Sequence, residues 1–253
     1  MTEDGFTESD HALAARLATE AGRLLLRLRH DMERAGVHSW RIMDEGDAAA
    51  HHFLVDALKA VRPDDAILSE EGRDSANRLT ANRVWIIDPL DGTNEFGEMG
   101  RSDWAVHVAL VQEGSPVAAA VSLPALNRTF ATDPPPPFPA VTRSHPRLVV
   151  SRHRAPYASA MVAGALGADM LRLGSAGAKA MAVVVGDADV YAHAGGMYEW
   201  DSCAPAAVAA AAGFHVSRID GSPLVYNRPD PWLPDLLVCR PELRDAVLAA
   251  LWD

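Results

Sequence analysis

Asp88 and Asp91 stand three residues apart at the carboxyl end of an apolar run, in the stretch RVWIIDPLDGTNEFGEMG from Arg83 to Gly100. Pro89 interrupts a strand ladder and Gly92 permits a sharp turn, so the two carboxylates, with the Leu90 carbonyl between them, can converge on one point. Oxygen ligands clustered in a turn suit Mg²⁺ or a similar hard cation. The amides of Gly92 and Thr93 follow at once, as an anion nest or a helix start ready for a phosphate. One turn therefore offers cation ligands and phosphate donors side by side, which is what metal-assisted phosphate chemistry requires. In-line attack on such a phosphate needs positioning more than covalent help, so no Cys or His nucleophile is called for.

Two further acidic sites accompany this turn. Glu70-Glu71 follows the short apolar run Ala66-Ile67-Leu68, and Asp201 follows Glu199-Trp200 at the start of a predicted helix. Singly, each has an ordinary reading: a solvated surface for the glutamates, a helix cap for Asp201, a turn for Asp88-Pro89. The histidines, including His51, His52 and His193, read as surface or packed residues. Cys203 and Cys239 are the only two cysteines and lie in no metal-ligand spacing, so buried free thiols of a reducing compartment are expected.

The elements that must position these acids are legible in outline. A chain of 253 residues has ample core, and a hydrophobic fraction of 49% is ordinary for a folded protein. The formal net charge of −11 argues against a nucleic-acid polymer as partner, yet leaves room for a small phosphorylated ligand bridged by divalent cations. No apolar run reaches the ~20 residues that a membrane span needs. The acidic, polar stretch MTEDGFTESD does not read as a signal peptide, and a cytoplasmic location is expected.

Leu13, Leu17, Leu24, Leu28 and Met32 mark an amphipathic helix behind the caps Ser9 and Asp10, ending near Gly36. A second helix is expected from Asp47 to Pro63. Strands are expected at Ala66–Leu68, Arg83–Ile87, Trp104–Val111, Val117–Leu123 and Thr129–Thr132, as an antiparallel sheet. The proline run DPPPPFP cannot join a strand or a helix interior. It divides an N-terminal unit, 1–133, from a connector, 134–146, and a C-terminal unit, 147–253. The latter alternates: strands at Leu148–Ser151, Met170–Leu173, Asp189–Ala192, Phe214–Ile219 and Leu236–Cys239, with helices at Ala155–Leu166, Ser175–Val185, Ser202–Ala212 and Pro241–Leu251. Pro205 is expected in the first turn of its helix. The fold class is α/β, with the site where the two halves meet.

Together, Asp88-Pro89-Leu90-Asp91-Gly92-Thr93, Ser69-Glu70-Glu71 and Glu199-Trp200-Asp201-Ser202-Cys203-Ala204 resemble the inositol monophosphatase superfamily, over nearly the whole chain. The resemblance implies a layered αβαβα sandwich like that of inositol monophosphatase and fructose bisphosphatase, and a Mg²⁺-dependent, lithium-sensitive phosphomonoesterase with two or three metal ions. It assigns metal binding to Glu70, Asp88, the Leu90 carbonyl, Asp91 and Asp201. Asp47, Glu70 and Thr93 are implied as catalytic, with Asp47 and Thr93 polarising the attacking water. Leu90, Asp91, Gly92, Thr93, Lys179, Glu199 and Asp201 are implied as substrate-binding, with the Gly92 and Thr93 amides on the phosphate and Lys179 and Glu199 facing the rest of the substrate. DGTNEF followed by GRSDWAVHVALV, with Gly174-Ser175 spaced to Lys179, looks most like the CysQ branch. That branch removes the 3'-phosphate of 3'-phosphoadenosine 5'-phosphate, and sometimes of its sulfated relative, in sulfate assimilation. Inositol-1-phosphate and fructose-1,6-bisphosphate are the alternative substrates, and a non-catalytic scaffold that binds metal and phosphate is the remote one. Homodimers are common in such families; no seam marks one in this sequence. The chain departs from the family pattern at Met43-Asp44-Glu45-Gly46, where a Ser-Pro-Val-Thr-like segment is usual. It departs again at Asn94, where a basic residue stands in some relatives, and at Ala204-Pro205, where Ala-Gly is frequent.

Overall fold

The computed structural model describes residues 8–140, 143–153 and 157–252. Met1–Thr7 of the polar N-terminal stretch, Val141 and Thr142 of the connector, and Ala155, where a helix was expected to start, lie outside them. Helix α1, Asp10–Arg34, begins at Ser9, whose hydroxyl accepts the Ala12 amide at 3.2 Å. It buries Leu13, Leu17, Ala21 and Leu25, one face of a 3.6-residue period. Helix α2, Ser39–Val61, buries Ile42, Gly46, Ala50, Leu54 and Leu58, a stripe at strict four-residue steps. The expectation that α2 starts at Asp47 is corrected: the helix begins eight residues earlier, and Met43–Gly46 belongs to it.

Both helices cover one face of a five-stranded sheet ordered β1-β2-β3-β4-β5. Its strands are β1 Ala66–Ser69, β2 Val84–Asp91, β3 Ala105–Gln112, β4 Ser115–Leu123 and β5 Arg128–Ala131. The sheet is mixed rather than antiparallel throughout, because β1 runs parallel to β2. Helix α3, Thr93–Gly97, turns the chain between β2 and β3.

A second five-stranded sheet is ordered β7-β6-β8-β10-β9. It comprises β6 Arg147–Ser151, β7 Asp169–Leu173, β8 Val190–Tyr198, β9 His215–Ser217 and β10 Trp232–Cys239. Helices α5, Ala176–Val184, and α6, Glu199–Ala211, pack between the two sheets. Helices α4, Tyr157–Leu166, and α7, Arg244–Trp252, cover the far side of the second sheet. The order of layers is αβαβα. The central layer of α5 and α6 is rich in alanine, and those small side chains let two helices fit between two sheets. Because α6 starts at Glu199, Pro205 is its seventh residue rather than part of the first turn. It carries no N–H for the carbonyl four residues back, that of Asp201.

Candidate active site

Three elements end at one place: the carboxyl end of β2 and the N-termini of α5 and α6. All eight residues of β2 are buried, and its pairing with β3 jumps from Asp88↔His107 to Asp91↔Ala105. The ladder therefore does not stop at Pro89. It passes through a bulge and resumes, and the extra residues re-aim Asp88 and Asp91 to the same side. Asp201, in the first turn of α6, completes a triad in which one carboxylate oxygen from each of Asp88, Asp91 and Asp201 lies within 4.8 Å of the others. Glu70 follows β1, the parallel neighbour of β2, and its carboxyl adds a further negative charge beside Asp88 and Asp201.

The donor set fits a hard cation. Every donor is an oxygen, and the buried Oδ2 of Asp88 has no hydrogen-bond partner, while its Oδ1 accepts the Leu90 amide at 3.1 Å. A buried carboxylate oxygen left without a donor is costly unless a cation or a proton meets it. The acidities say the same. Burial, then the charges of Glu70, Asp91 and Asp201, drive Asp88 well above the usual carboxylate range. Burial and the charge of Asp91 push Asp201 up to about 6. Glu70 as a residue lies at the surface, but its carboxyl is partly desolvated; that, with the charge of Asp201, pushes it up to about 7. Each of these shifts favours a neutralising partner, a proton or a cation, at the cluster.

Asp91 is the exception. Its Oδ1 accepts the Ala176 amide at 3.1 Å and its Oδ2 the Gly177 amide at 2.6 Å, the first free N–H groups of α5. His107 Nε2 lies 3.2 Å from Oδ2. Burial opposes ionisation, yet His107, Lys179 and the Gly177 amide outweigh it and hold Asp91 below the usual range. His107 in turn is wholly buried, and its Nδ1 donates to the Trp200 carbonyl at 3.0 Å. Burial alone lowers an imidazole's proton affinity; Asp91 reverses this and raises that of His107. Gly177 is obligatory here, since a Cβ on it would collide with His107 Nε2.

Asp47 reaches the cluster from α2. Gly46 beside it packs so closely that a Cβ would lie 2.6 Å from Phe96 Cε1 and 3.1 Å from Leu90 Cδ2. That approach places Asp47 Oδ1 3.3 Å from the Thr93 hydroxyl, which also lies 3.1 Å from the Leu90 carbonyl. The hydroxyl has one proton and donates to one of them at a time. Burial, then the charge of Glu71, pushes Asp47 up to about 7. Asp47 lies in the third turn of α2 and is not a helix cap. Gly92 has φ +89° and starts α3, so the turn into Thr93 needs its freedom from a side chain.

Glu199 and Lys179, the two residues implied to face the rest of the substrate, both have internal partners. Glu199 is fully buried, and its carboxylate accepts the amides of Asn227 at 2.7 Å and Arg228 at 2.9 Å. It anchors the loop before β10. Lys179 is buried too: its Nζ donates to the carbonyls of Gly174 and Ser175 and lies 5.4 Å from the Tyr191 ring. Its charge reaches Asp91 and Asp201 through the interior. The sequence reading missed His107. The available signal was an ionisable residue in the middle of the apolar run WAVHVALV, a place where only a partnered group is stable.

A model of the inositol monophosphatase family matches residues 7–133 and 139–253. The chain belongs to this family. It is 49% identical over 257 aligned positions to the 3'-phosphoadenosine 5'-phosphate phosphatase of Mycobacterium leprae, covering 96% of this chain and 93% of that one. It is 30% identical over 207 positions to the 3'(2'),5'-bisphosphate nucleotidase CysQ of Escherichia coli K12, covering 74% and 80%. Among solved structures, an inositol monophosphatase from Anabaena superposes with a TM-score of 0.78 at 23% identity, over 96% of this chain and 94% of the other. The suhB protein of Bartonella henselae superposes at 0.76 and 19%, over 95% and 98%. Both support the inositol monophosphatase-like layering. Among the described residues no helix is long and apolar enough to cross a membrane.

Proposed function

We propose that this member of the inositol monophosphatase family is a Mg²⁺-dependent phosphatase that removes the 3'-phosphate of 3'-phosphoadenosine 5'-phosphate, giving AMP and phosphate. The observation that carries the reading is the convergence of Asp88, Asp91 and Asp201 within 4.8 Å, in a chain 49% identical to a phosphatase of that name.

Asp88, Asp91, Asp201, Glu70 and the Leu90 carbonyl would hold two or three Mg²⁺ ions. When bound, these neutralise the phosphate's charge, lower the pKa of water and stabilise the leaving oxygen. The chain's own residues do the rest. Asp91 is kept ionised by the α5 amides and His107, so it offers its charge without first losing a proton. Asp47, at about 7, is matched to accept a proton near neutral pH through the Thr93 hydroxyl beside it. The Gly92 and Thr93 amides receive the phosphate oxygens.

The test is phosphate release from 3'-phosphoadenosine 5'-phosphate, inositol-1-phosphate and fructose-1,6-bisphosphate in parallel, with Mg²⁺, with chelator and with Li⁺. Fast Mg²⁺-dependent, Li⁺-inhibited release from the nucleotide alone is expected. Preference for either other ester would overturn the substrate and keep the metal chemistry. No release from any of them would overturn both.

A further inference from the structure

Tyr198 and Trp200 form an aromatic stack bolted to the acidic triad at both ends. Their ring centroids lie 4.7 Å apart with planes inclined by 10°. The Tyr198 backbone amide donates to Asp201 Oδ2 at 2.6 Å. The Trp200 carbonyl accepts from His107, whose other nitrogen lies 3.2 Å from Asp91. The backbone that carries the two rings is therefore tied to two of the three acids. Tyr198 nevertheless stays 46% exposed, although it adjoins the fully buried Glu199. Trp232, its register partner on β10, is 45% exposed and is seated against Gly196, whose φ of +91° and missing Cβ make room for the indole.

A tyrosine that stacks one face on a neighbouring indole and leaves so much surface to water is an unfinished column of rings. Its position, three residues before Asp201 and hydrogen-bonded to that carboxylate, puts it within a nucleoside's reach of a phosphate at the triad. Base–aromatic stacking needs only a π-face and tolerates any base, whereas an inositol or sugar ring has no such face. We propose that Tyr198 is the stacking platform for the purine of the substrate, and hence a specificity-determining residue that favours nucleotides over inositol and sugar phosphates. The proposal rests on the nucleotide reading given above.

The test separates base from phosphate by binding rather than turnover. Dissociation constants for AMP and for inorganic phosphate are measured by calorimetry at saturating Mg²⁺, for the wild type, Tyr198→Ala and Tyr198→Phe. Loss of one base–aromatic stack weakens AMP by about 5- to 150-fold. Tyr198→Ala is expected to show that loss for AMP with phosphate affinity unchanged, and Tyr198→Phe to keep AMP within about twofold of the wild type, since the ring suffices. AMP affinity unchanged in Tyr198→Ala would overturn the platform. Equal weakening of AMP and phosphate would also overturn it, showing that Tyr198 only supports Asp201. A wild type that binds AMP no more tightly than phosphate would instead overturn the nucleotide reading, whatever the variants do.

Discussion

Replacing Asp91 by asparagine keeps the side chain's shape and removes its charge, and the surroundings fix what that costs. Both carboxylate oxygens are acceptors: Oδ1 for Ala176 N–H at 3.1 Å, Oδ2 for Gly177 N–H at 2.6 Å with His107 Nε2 at 3.2 Å. An amide has one oxygen. If it keeps the shorter bond to Gly177, its NH₂ faces the Ala176 N–H, and two donors meet. A buried donor left without a partner costs about 1–3 kcal/mol. His107 also loses its anion, and a buried cation without a partner gives up its proton. For a chain of this size 1 kcal/mol corresponds to about 2–4 °C, so Asp91→Asn is expected to melt about 2–12 °C lower in the absence of metal. The charge lost also belongs to the cation site, so Mg²⁺-dependent phosphate release is expected to fall by about 10³-fold or more. Thermal unfolding in chelator and phosphate release in Mg²⁺ measure the two effects separately. Turnover within tenfold of the wild type would refute the role of Asp91 at the metal. An unchanged or higher melting temperature would refute the donor-against-donor argument, because relief of Asp91's repulsion with Glu70, Asp88 and Asp201 would then outweigh it.

Thr93→Val removes the hydroxyl beside Asp47 and the Leu90 carbonyl, and is expected to lower kcat by about 10²–10⁴-fold with a stability change under about 1 kcal/mol; turnover within threefold would take the pair out of the reaction. Gly177→Ala drives a methyl into His107 and to 3.1 Å from Ala105 Cβ, so a loss of about 1–3 kcal/mol is expected in denaturant unfolding, together with weaker Mg²⁺ binding. Metal-linked stability should grow with pH. Asp201 at about 6, and Glu70 and Asp47 at about 7, lie above their unfolded values, so their contribution is present below about pH 4 and is lost as pH rises through 6–7. Mg²⁺ cancels that loss. The gap in melting temperature between Mg²⁺ and chelator is therefore expected to widen from pH 5.5 to 7.5. The lowered histidines His51, His193 and His215 act with the opposite sign but equally in both arms, so a gap that narrows would refute the assignment.

Much of the site was legible in the sequence because its chemistry is local. Asp88, Leu90, Asp91, Gly92 and Thr93 are neighbours in one turn, and a Gly with φ +89° after an apolar strand is a short-range signal. The amphipathic stripe of α1 and the proline run at Asp133–Pro139 were readable for the same reason. What the sequence could not hold is whatever depends on two distant segments touching. The start of α2 at Ser39 goes with packing against α3, with Gly46 seated on Phe96, and this puts Asp47 inside the helix beside Thr93 rather than at a cap. Glu199 and Lys179 read as polar groups free to meet a ligand. Only tertiary structure supplies the Asn227 and Arg228 amides that hold Glu199 and the interior that closes over Lys179, whose carbonyl partners Gly174 and Ser175 are local. His107 is the sharpest case. Its meaning lies in Asp91 and Trp200, sixteen and ninety-three residues away in opposite directions. Residue type and spacing determined which groups could hold a cation. The fold, by bringing the α5 amides and His107 Nε2 to Asp91 and to none of the others, decided which of them stays charged without one.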